Sequence, residues 1–321
     1  MSTGDWDPEL TAWRRRVRGC LLGGALGDAL GARFEGLPIV DAGELQDWID
    51  SDRPLRWTDD TALQLALADY LAGLEHPSAF DDDQLAKSFA TAWEADPHRG
   101  YGANPPSIFR TVLAGGSWRQ AAGSSFGGTG SLGNGGAMRA APVGALPGNP
   151  AQIAELARRQ AAITHAHPLG QDGGALIAVA AHQAFTAAPD GVDPHAILAG
   201  CAAELATPTF RDALDGVTGT LDVADPVEVA AATGSGIAAH EAAPAAVPAF
   251  LHHPSDPVAA ITFAVAMGGD TDTVAAMAGS LAGAASGAGS LPEHLLHRLE
   301  QRGQLTRVAD ALAERTYSWR T

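Results

Sequence analysis

The sequence GGDTDTVAAMAGSLAGAA occupies residues 268–285 and joins a polar motif to a run of small residues. The motif contains two carboxylates, Asp270 and Asp272, and two hydroxyls, Thr271 and Thr273. Asp and Thr are favoured where a helix begins, because their side-chain oxygens accept hydrogen bonds from the free N–H groups of the first turn. Acids at this position also suit the helix dipole. The stretch therefore predicts a helix that begins close to residue 270.

A second cluster of the same kind, Thr58-Asp59-Asp60-Thr61, opens a predicted helix that ends near Gly73. Helix capping explains one acid per helix well, but it explains paired acids with flanking threonines, found twice, less well. Mg²⁺ and Mn²⁺ prefer carboxylate and hydroxyl oxygens. If the two clusters converge, their four carboxylates would repel one another strongly without cations. Convergence would therefore indicate a metal site, and the lack of a His/Cys ligand set disfavours zinc.

The composition favours a helical protein. Of the 321 residues, 46% are hydrophobic and 18% are charged, so the chain is able to bury a core. Alanine and glycine are abundant while β-branched and aromatic residues are sparse, which is typical of packed helices rather than sheets. The sequence shows no internal repeat and no clear domain linker. We predict an all-α fold, a compact helical bundle that forms a single domain over residues 1–321 with its core at about residues 14–318.

Net charge and cysteine content limit which binding partners and which cellular compartment we expect for this protein. The formal net charge of -17 argues against duplex nucleic acid, but a small anionic ligand remains compatible with it. Cys20 and Cys201 form no CxxC motif, which fits a reducing cytosol. Residues 1–7 show no signal peptide, and the apolar run from Val274 to Gly289 is too short to span a bilayer. We expect a cytoplasmic monomer that is not bound to a membrane.

The N-terminal third contains a small-residue helix and two acids, Asp28 and Glu35, that are candidates for a role at the site. The basic segment Trp13–Arg18 is predicted to open this helix, and the glycines and alanines of Gly19–Arg33 would allow close helix approach. Asp28 lies inside it, either as a solvated or N–H-capping acid or in a supporting role behind a site. Glu35 follows the helix, where a lone Glu is usually a surface residue. The polar segment Leu37–Leu55 is predicted to be a loop with a short helix that acts as a lid.

The glycine-rich stretch from Phe126 to Arg139, FGGTGSLGNGGAMR, is the second informative segment. Glycines let backbone N–H groups approach a phosphate closely. The stretch is too specific for a flexible linker, and it is neither a P-loop nor a GxGxxG motif. His165 belongs to an H-x-H pair that lacks the further ligands of a zinc site, so we interpret it as a possible ligand contact. Metals for ribose hydroxyls and amides for a diphosphate together point to a nucleotide-sugar ligand.

Two motifs in this order carry a resemblance that covers most of the chain. Gly-Ala-Leu-Gly-Asp-Ala-Leu-Gly at residues 24–31, together with the paired Thr-Asp-Asp-Thr and Gly-Asp-Thr-Asp-Thr motifs, resembles the ADP-ribosylglycohydrolase family. That family includes the dinitrogenase reductase-activating glycohydrolases and the ADP-ribosyl-arginine and ADP-ribosyl-serine hydrolases. The resemblance implies an all-helical domain with a binuclear Mg²⁺ or Mn²⁺ centre.

The resemblance also implies roles for individual residues. The implied metal ligands are Thr58, Asp59, Asp60, Asp270, Asp272 and Thr273. The implied ADP-ribose contacts are Phe126, Ser131, Gly133, Asn134 and His165, to which we add Gly130 of the same glycine run. Glu35 falls where the serine-ADP-ribose hydrolases keep a catalytic Glu on a mobile segment.

The function expected from this resemblance is hydrolysis of the N- or O-glycosidic bond between ADP-ribose and an acceptor, with release of ADP-ribose. Asp60, Glu35 or Asp272 would assist proton transfer as the oxocarbenium-like state forms. The substrate would be an ADP-ribosylated protein or a small ADP-ribose conjugate. The acceptor, which could be arginine, serine, a nucleic-acid end or a small molecule, is left open, as is the choice between Mg²⁺ and Mn²⁺. The alternatives are a non-catalytic binding or structural relative and a binuclear nucleotide phosphohydrolase.

Overall fold

Two buried helices of small residues, α1 (Pro8–Gly31) and α14 (Thr271–Ser286), pack against each other in the computed structural model, which describes residues 7–187 and 191–320. Glycines recur every four residues on α1, so they share one face of the helix. A Cβ added at Gly19 would lie 2.1 Å from the backbone oxygen of Gly283, and one added at Gly27 would lie 2.1 Å from that of Ala275. The helices are therefore antiparallel and touch backbone to backbone.

The remaining helices surround this pair. The described residues form sixteen α-helices and no β-strand beyond isolated bridges. The other fourteen are α2 (Ala42–Asp50), α3 (Asp59–Gly73), α4 (Asp82–Ala95), α5 (Pro105–Leu113), α6 (Trp118–Gly128), α7 (Pro150–Ala162), α8 (Pro168–Thr186), α9 (Pro194–Glu204), α10 (Pro208–Thr218), α11 (Pro226–Thr233), α12 (Ala239–His252), α13 (Pro257–Ala266), α15 (Glu293–Arg298) and α16 (Arg302–Ser318). The all-α prediction is confirmed.

One contiguous hydrophobic cluster extends from Trp13 to Ala313 and joins helices from both ends of the described chain. The boundaries of residues 1–321 stay a prediction, because residues 1–6, 188–190 and 321 lie outside the described residues, as does most of the segment searched for a signal peptide. Of the helices that the structure describes, none combines the length and apolar character needed to cross a membrane.

The first helix starts earlier than the sequence suggested. It begins at Pro8, and the Asp7 carboxylate accepts hydrogen bonds from the backbone N–H groups of Glu9 and Leu10. A cap residue followed by proline is a strong start signal, because proline lacks the N–H that would be unpaired in the first turn. The prediction that the basic segment Trp13–Arg18 opens the helix is therefore wrong.

The α1–α14 contact makes a direct prediction about stability. Gly27→Ala should lower the free energy of unfolding by about 1–3 kcal/mol, since the added methyl group must push the two backbones apart. Gly73→Ala is the matched control, because no atom of the described residues lies within 4 Å of the Cβ that it adds. Chemical denaturation of both variants measures the difference, and equal stabilities would contradict the packing described.

Candidate metal and ligand site

The first turns of α3 and α14 meet at one cavity of about 370 Å³. The lining of this cavity includes Glu35 and all six predicted metal ligands, namely Thr58, Asp59, Asp60, Asp270, Asp272 and Thr273. Five of the six predicted ADP-ribose contacts, Phe126, Ser131, Gly133, Asn134 and His165, line the same cavity. The structure therefore brings together motifs that are some two hundred residues apart in sequence.

Asp28 of α1 holds the start of α3 in place. Its carboxylate is fully buried and accepts hydrogen bonds from the backbone N–H of Thr58 at 2.9 Å and of Thr61 at 3.0 Å. The Thr61 hydroxyl donates to it as well, at 2.6 Å. The solvated interpretation of this acid is therefore wrong, whereas the capping interpretation is confirmed: Asp28 caps a helix other than its own and lies directly behind the acidic cluster. These bonds also explain why Thr61 belongs to the motif without lining the cavity.

The surroundings of the clustered carboxylates disfavour their charged form and so raise their pKa values. Burial is the largest cause, and it raises the pKa of Asp28 to about 6 and that of Asp59 to about 7. Burial and the neighbouring Asp270 raise the pKa of Asp272 to about 9. The pKa of Asp60 is raised well above its ordinary value by burial and by Asp272.

One carboxylate oxygen of the cluster has no hydrogen-bond partner among the described residues, and it indicates what kind of ligand would relieve the repulsion between the carboxylates. The Asp60 side chain is buried, and its Oδ1 has no hydrogen-bond partner among the described residues. A buried carboxylate oxygen without a partner is costly and calls for an explanation. An all-oxygen donor set with excess negative charge suits a hard divalent cation, so the residues present fit such a metal.

Glu35 reaches the same cluster from the segment after α1. Its side chain is exposed, and the Glu35, Asp270 and Asp272 carboxylates each place an oxygen within 4.8 Å of the others. Burial and Asp270 raise the pKa of Glu35. The segment is attached by the backbone, because Gly36 N–H donates to the Gly269 oxygen at 2.8 Å and Gly269 N–H donates to the Leu37 oxygen at 2.8 Å.

The predicted lid is attached to the site at its first residues. A Cβ at Gly268 would lie 2.6 Å from the backbone oxygen of Pro38, so glycine is required where the segment packs on the motif. Farther along, the predicted short helix is present as α2. Movement of the segment Leu37–Leu55 stays a prediction.

The glycine-rich stretch is a sharply turned wall of the cavity. Phe126 has a φ of 50°, in the left-handed region, and its aromatic side chain is 64% exposed. Gly130 does not line the cavity, and it turns the chain with a φ of 76° where a Cβ would lie 2.6 Å from the His167 nitrogen. The N–H of Gly133 donates to the Ser131 hydroxyl at 3.2 Å. Fewer amides are therefore free for a phosphate than the glycine content suggests.

The two histidines of the H-x-H pair separate into different roles. His167 caps α8, where its Nδ1 accepts a hydrogen bond from the Leu169 N–H at 3.1 Å. His165 is buried and lines the cavity, where burial and Arg139 lower its pKa to about 3.

Comparison with known proteins identifies the family. A family model for ADP-ribosylglycohydrolases matches residues 9–321. This chain belongs to the ADP-ribosylglycohydrolase family. It is 33% identical over 319 residues to ADP-ribosylhydrolase ARH3 of Mus musculus, covering 87% of this chain and 85% of the mouse protein. It is also 33% identical over 319 residues to the Homo sapiens ARH3, covering 87% of each chain.

A solved structure agrees with this membership. A chain described as an ADP-ribosylglycohydrolase-related protein complex is 26% identical and superimposes with a TM-score of 0.71, covering 95% of this chain and 99% of its own. The resemblance inferred from the sequence motifs is confirmed. Membership and the ARH3 relatives support a hydrolase of ADP-ribosyl bonds.

Within this member of the ADP-ribosylglycohydrolase family, the cavity lining includes Ile237, which the sequence patterns did not predict, whereas Arg99 lies beside the start of α3 without lining the cavity. Ile237 is 75% exposed and lines the cavity, and its backbone oxygen accepts from the Asn134 N–H at 3.0 Å. The connection that carries it has no motif. The Arg99 carbonyl accepts from the Asp59 N–H at 2.8 Å, while its guanidinium lies 3.8 Å from the Trp57 ring centroid and pairs with Glu300. Arg99 thus supports the start of α3.

The raised pKa values predict how stability depends on pH without metal. A carboxyl whose folded pKa exceeds its unfolded value of 3.8 binds more protons in the folded state, so the free energy of unfolding falls as pH rises. For this cluster the fall should extend from pH 3.8 up to about 9. Denaturation in EDTA at several pH values should show a shallower fall for Asp60→Asn than for the wild type.

The control for this measurement is Asp69→Asn, which removes an exposed carboxylate from the same helix. Its dependence on pH should match the wild type. An unchanged slope for Asp60→Asn would show that Asp60 does not take part in this coupled titration.

Proposed function

We propose that this protein hydrolyses the glycosidic bond between ADP-ribose and an acceptor, and that two divalent cations, Mg²⁺ or Mn²⁺, are its cofactors. One observation carries the proposal: two acidic motifs, Glu35 and the wall from Phe126 to Asn134 line a single cavity. Family membership supports the same chemistry.

The cations would be held by Thr58, Asp59, Asp60, Asp270, Asp272 and Thr273. Asp60 Oδ1, which has no hydrogen-bond partner within residues 7–187 and 191–320, offers a buried oxygen for this purpose. Bound cations would neutralise the cluster, fix the ribose hydroxyls and orient a water molecule. Asn134 donates to Asp270 at 2.5 Å, so it orients one oxygen of that carboxylate and leaves the other available.

The remainder of the cavity suits the ADP portion of the ligand. The exposed ring of Phe126 offers a face on which an adenine base would stack. Ser131, Gly133 and His165 lie along the wall that would receive the diphosphate. A left-handed conformation at a non-glycine residue costs free energy and often marks a functional site, which is consistent with this role for Phe126.

Among the three acids considered for proton transfer, Glu35 is the best placed. Asp60 and Asp272 are buried within the cluster, whereas Glu35 is exposed and adjoins it from a separate segment. Its raised pKa brings it closer to the range in which a carboxyl exchanges protons readily. We assign Glu35 to proton transfer, either to the leaving oxygen or nitrogen of the acceptor or from the water that attacks the anomeric carbon, and the two aspartates to metal binding.

Substitution of the aspartates tests the metal assignment. Asp60→Asn and Asp272→Asn should each reduce ADP-ribose release by about a hundredfold or more, because each removes a charged ligand from a site that depends on charge. The assay measures free ADP-ribose from proteins modified on arginine and, separately, on serine, each with Mg²⁺, Mn²⁺ or EDTA. Asp69→Asn is the control, and full activity in either buried variant would contradict the assignment.

The same assay separates the proposal from its alternatives. Metal-dependent release from one substrate establishes the reaction and the acceptor together. Tight binding of ADP-ribose with no release from either substrate would favour a binding protein. Release of phosphate from nucleotides without release of ADP-ribose would favour the phosphohydrolase.

A separate substitution tests the role of Glu35. Glu35→Gln should lower kcat by about a hundredfold while leaving the Kd for ADP-ribose nearly unchanged, because it removes a proton carrier and keeps the shape of the side chain. Single-turnover kinetics and calorimetric titration measure the two quantities. A loss of affinity equal to the loss of kcat would place Glu35 in ligand binding instead.

A further inference from the structure

A buried arginine, Arg139, is among the residues that line the cavity, and the mechanism described above does not use it. Arg139 is fully buried, and its guanidinium carbon lies 4.3 Å from the ring centroid of Phe89. Its Nε donates to Gln160 Oε1 at 2.8 Å, and its Nη2 donates to the Gln160 backbone oxygen and the Thr164 hydroxyl, both at 2.9 Å. Three hydrogen bonds therefore fix this arginine, and one of them is donated to the Thr164 hydroxyl.

The direction of that bond determines the next one. An arginine side chain donates hydrogen bonds and cannot accept them, so the Thr164 oxygen is the acceptor. The same hydroxyl lies 2.7 Å from Nδ1 of His165. No carbonyl oxygen in residues 7–187 or 191–320 is recorded as accepting the hydroxyl proton. The hydroxyl has one proton, and Nδ1 is the acceptor that the contacts of the described residues leave for it.

An imidazole that accepts at Nδ1 must carry its proton at Nε2 when it is neutral. Burial and the adjacent Arg139 lower the pKa of His165 to about 3, which agrees with a neutral ring. Nε2 has no hydrogen-bond partner among the described residues, and the ring lines the cavity. A Cβ at Gly133 would lie 3.4 Å from Nε2 and 3.3 Å from the Ser131 hydroxyl. The ring Nε2 of His165 therefore lies beside Gly133 and Ser131, on the wall assigned to the diphosphate.

We propose that Arg139 and Thr164 are positioning residues that hold His165 as its Nε2–H tautomer, so that the ring presents a neutral hydrogen-bond donor to an anionic oxygen of the ligand diphosphate. The identity of the ligand rests on the proposed function, whereas the tautomer rests on the three side chains alone. Glycine is also required opposite the ring, because a Cβ at Gly135 would lie 2.7 Å from His165 Cε1. The ring is thus fixed in both its proton position and its plane.

Nitrogen NMR of the histidine rings tests the tautomer directly. In protein labelled with ¹⁵N in its imidazoles, the signals of His165 are those that His165→Asn removes. We expect a bare Nδ1 and a protonated Nε2 in the wild type. A protonated Nδ1, with Nε2 bare or protonated, would overturn the proposal.

Variants of Thr164 test the link between the tautomer and binding. Thr164→Val should release the ring from its single arrangement and weaken ADP-ribose binding by about three- to tenfold, which is the cost of ordering one side chain on binding. Thr164→Ser keeps the hydroxyl and should restore both the NMR pattern and the affinity. Calorimetry measures the affinities, and thermal melting shows that each variant is folded.

Thr220→Val is the matched control, because it removes a buried threonine hydroxyl that donates to the Val217 oxygen at the end of α10. It should bind ADP-ribose as the wild type does. Unchanged NMR signals and affinity in Thr164→Val would overturn the proposal, as would a loss of affinity that Thr164→Ser does not restore.

These outcomes are separate from those that test the proposed function. Binding without hydrolysis would reject the catalytic proposal and leave the tautomer and its role in binding supported. A wild-type protein that shows the Nε2–H tautomer but binds no ADP-ribose would overturn both the proposed function and the ligand assigned to this donor.

Discussion

The backbone contact between α1 and α14 determines where the acidic cluster lies. At the end of this contact, a Cβ on Gly31 would lie 2.5 Å from the Thr271 backbone oxygen, and the Thr271 hydroxyl donates to the Gly31 oxygen at 2.9 Å. The first turn of α14 is therefore fixed against the last turn of α1. One turn earlier on α1, Asp28 caps α3. A single helix thus positions both acidic motifs, and its glycines make the distance between them short.

The acidic cluster lowers the free energy of unfolding of the protein. A buried carboxylate with a raised pKa destabilises the folded protein when it is charged. The tight packing of the surrounding helices keeps these carboxylates together despite that cost. Asp28 is the exception in its bonding, since three donors offset part of the cost of burying its charge. Asp60 Oδ1 receives no hydrogen bond from the part of the chain that the structure describes. The difference separates an acid that supports the structure from one that is available to a ligand.

The sequence predicts the helices and the acids because each leaves a local signal. Caps, prolines and small-residue runs mark the helices, and paired acids at Thr58–Thr61 and Asp270–Thr273 mark the cluster. Ile237 leaves no such signal, because its contact with Asn134 depends on a connection that is distant in sequence and has no pattern of its own. The amide cradle also could not be judged, since whether an N–H is free depends on partners such as the Ser131 hydroxyl.

The two ends of the cavity differ in the charge of the residues that line them. A protein with a net charge of -17 must still accept an anionic diphosphate if the proposed function is correct. At the metal end, cations would reverse the local charge of the carboxylates. At the other end, the positive charge of Arg139 is buried, and through Thr164 it orients a neutral N–H of His165 toward the cavity. A neutral donor there attracts an anionic oxygen without repelling cations at the metal end, so both ends can bind one ligand at once.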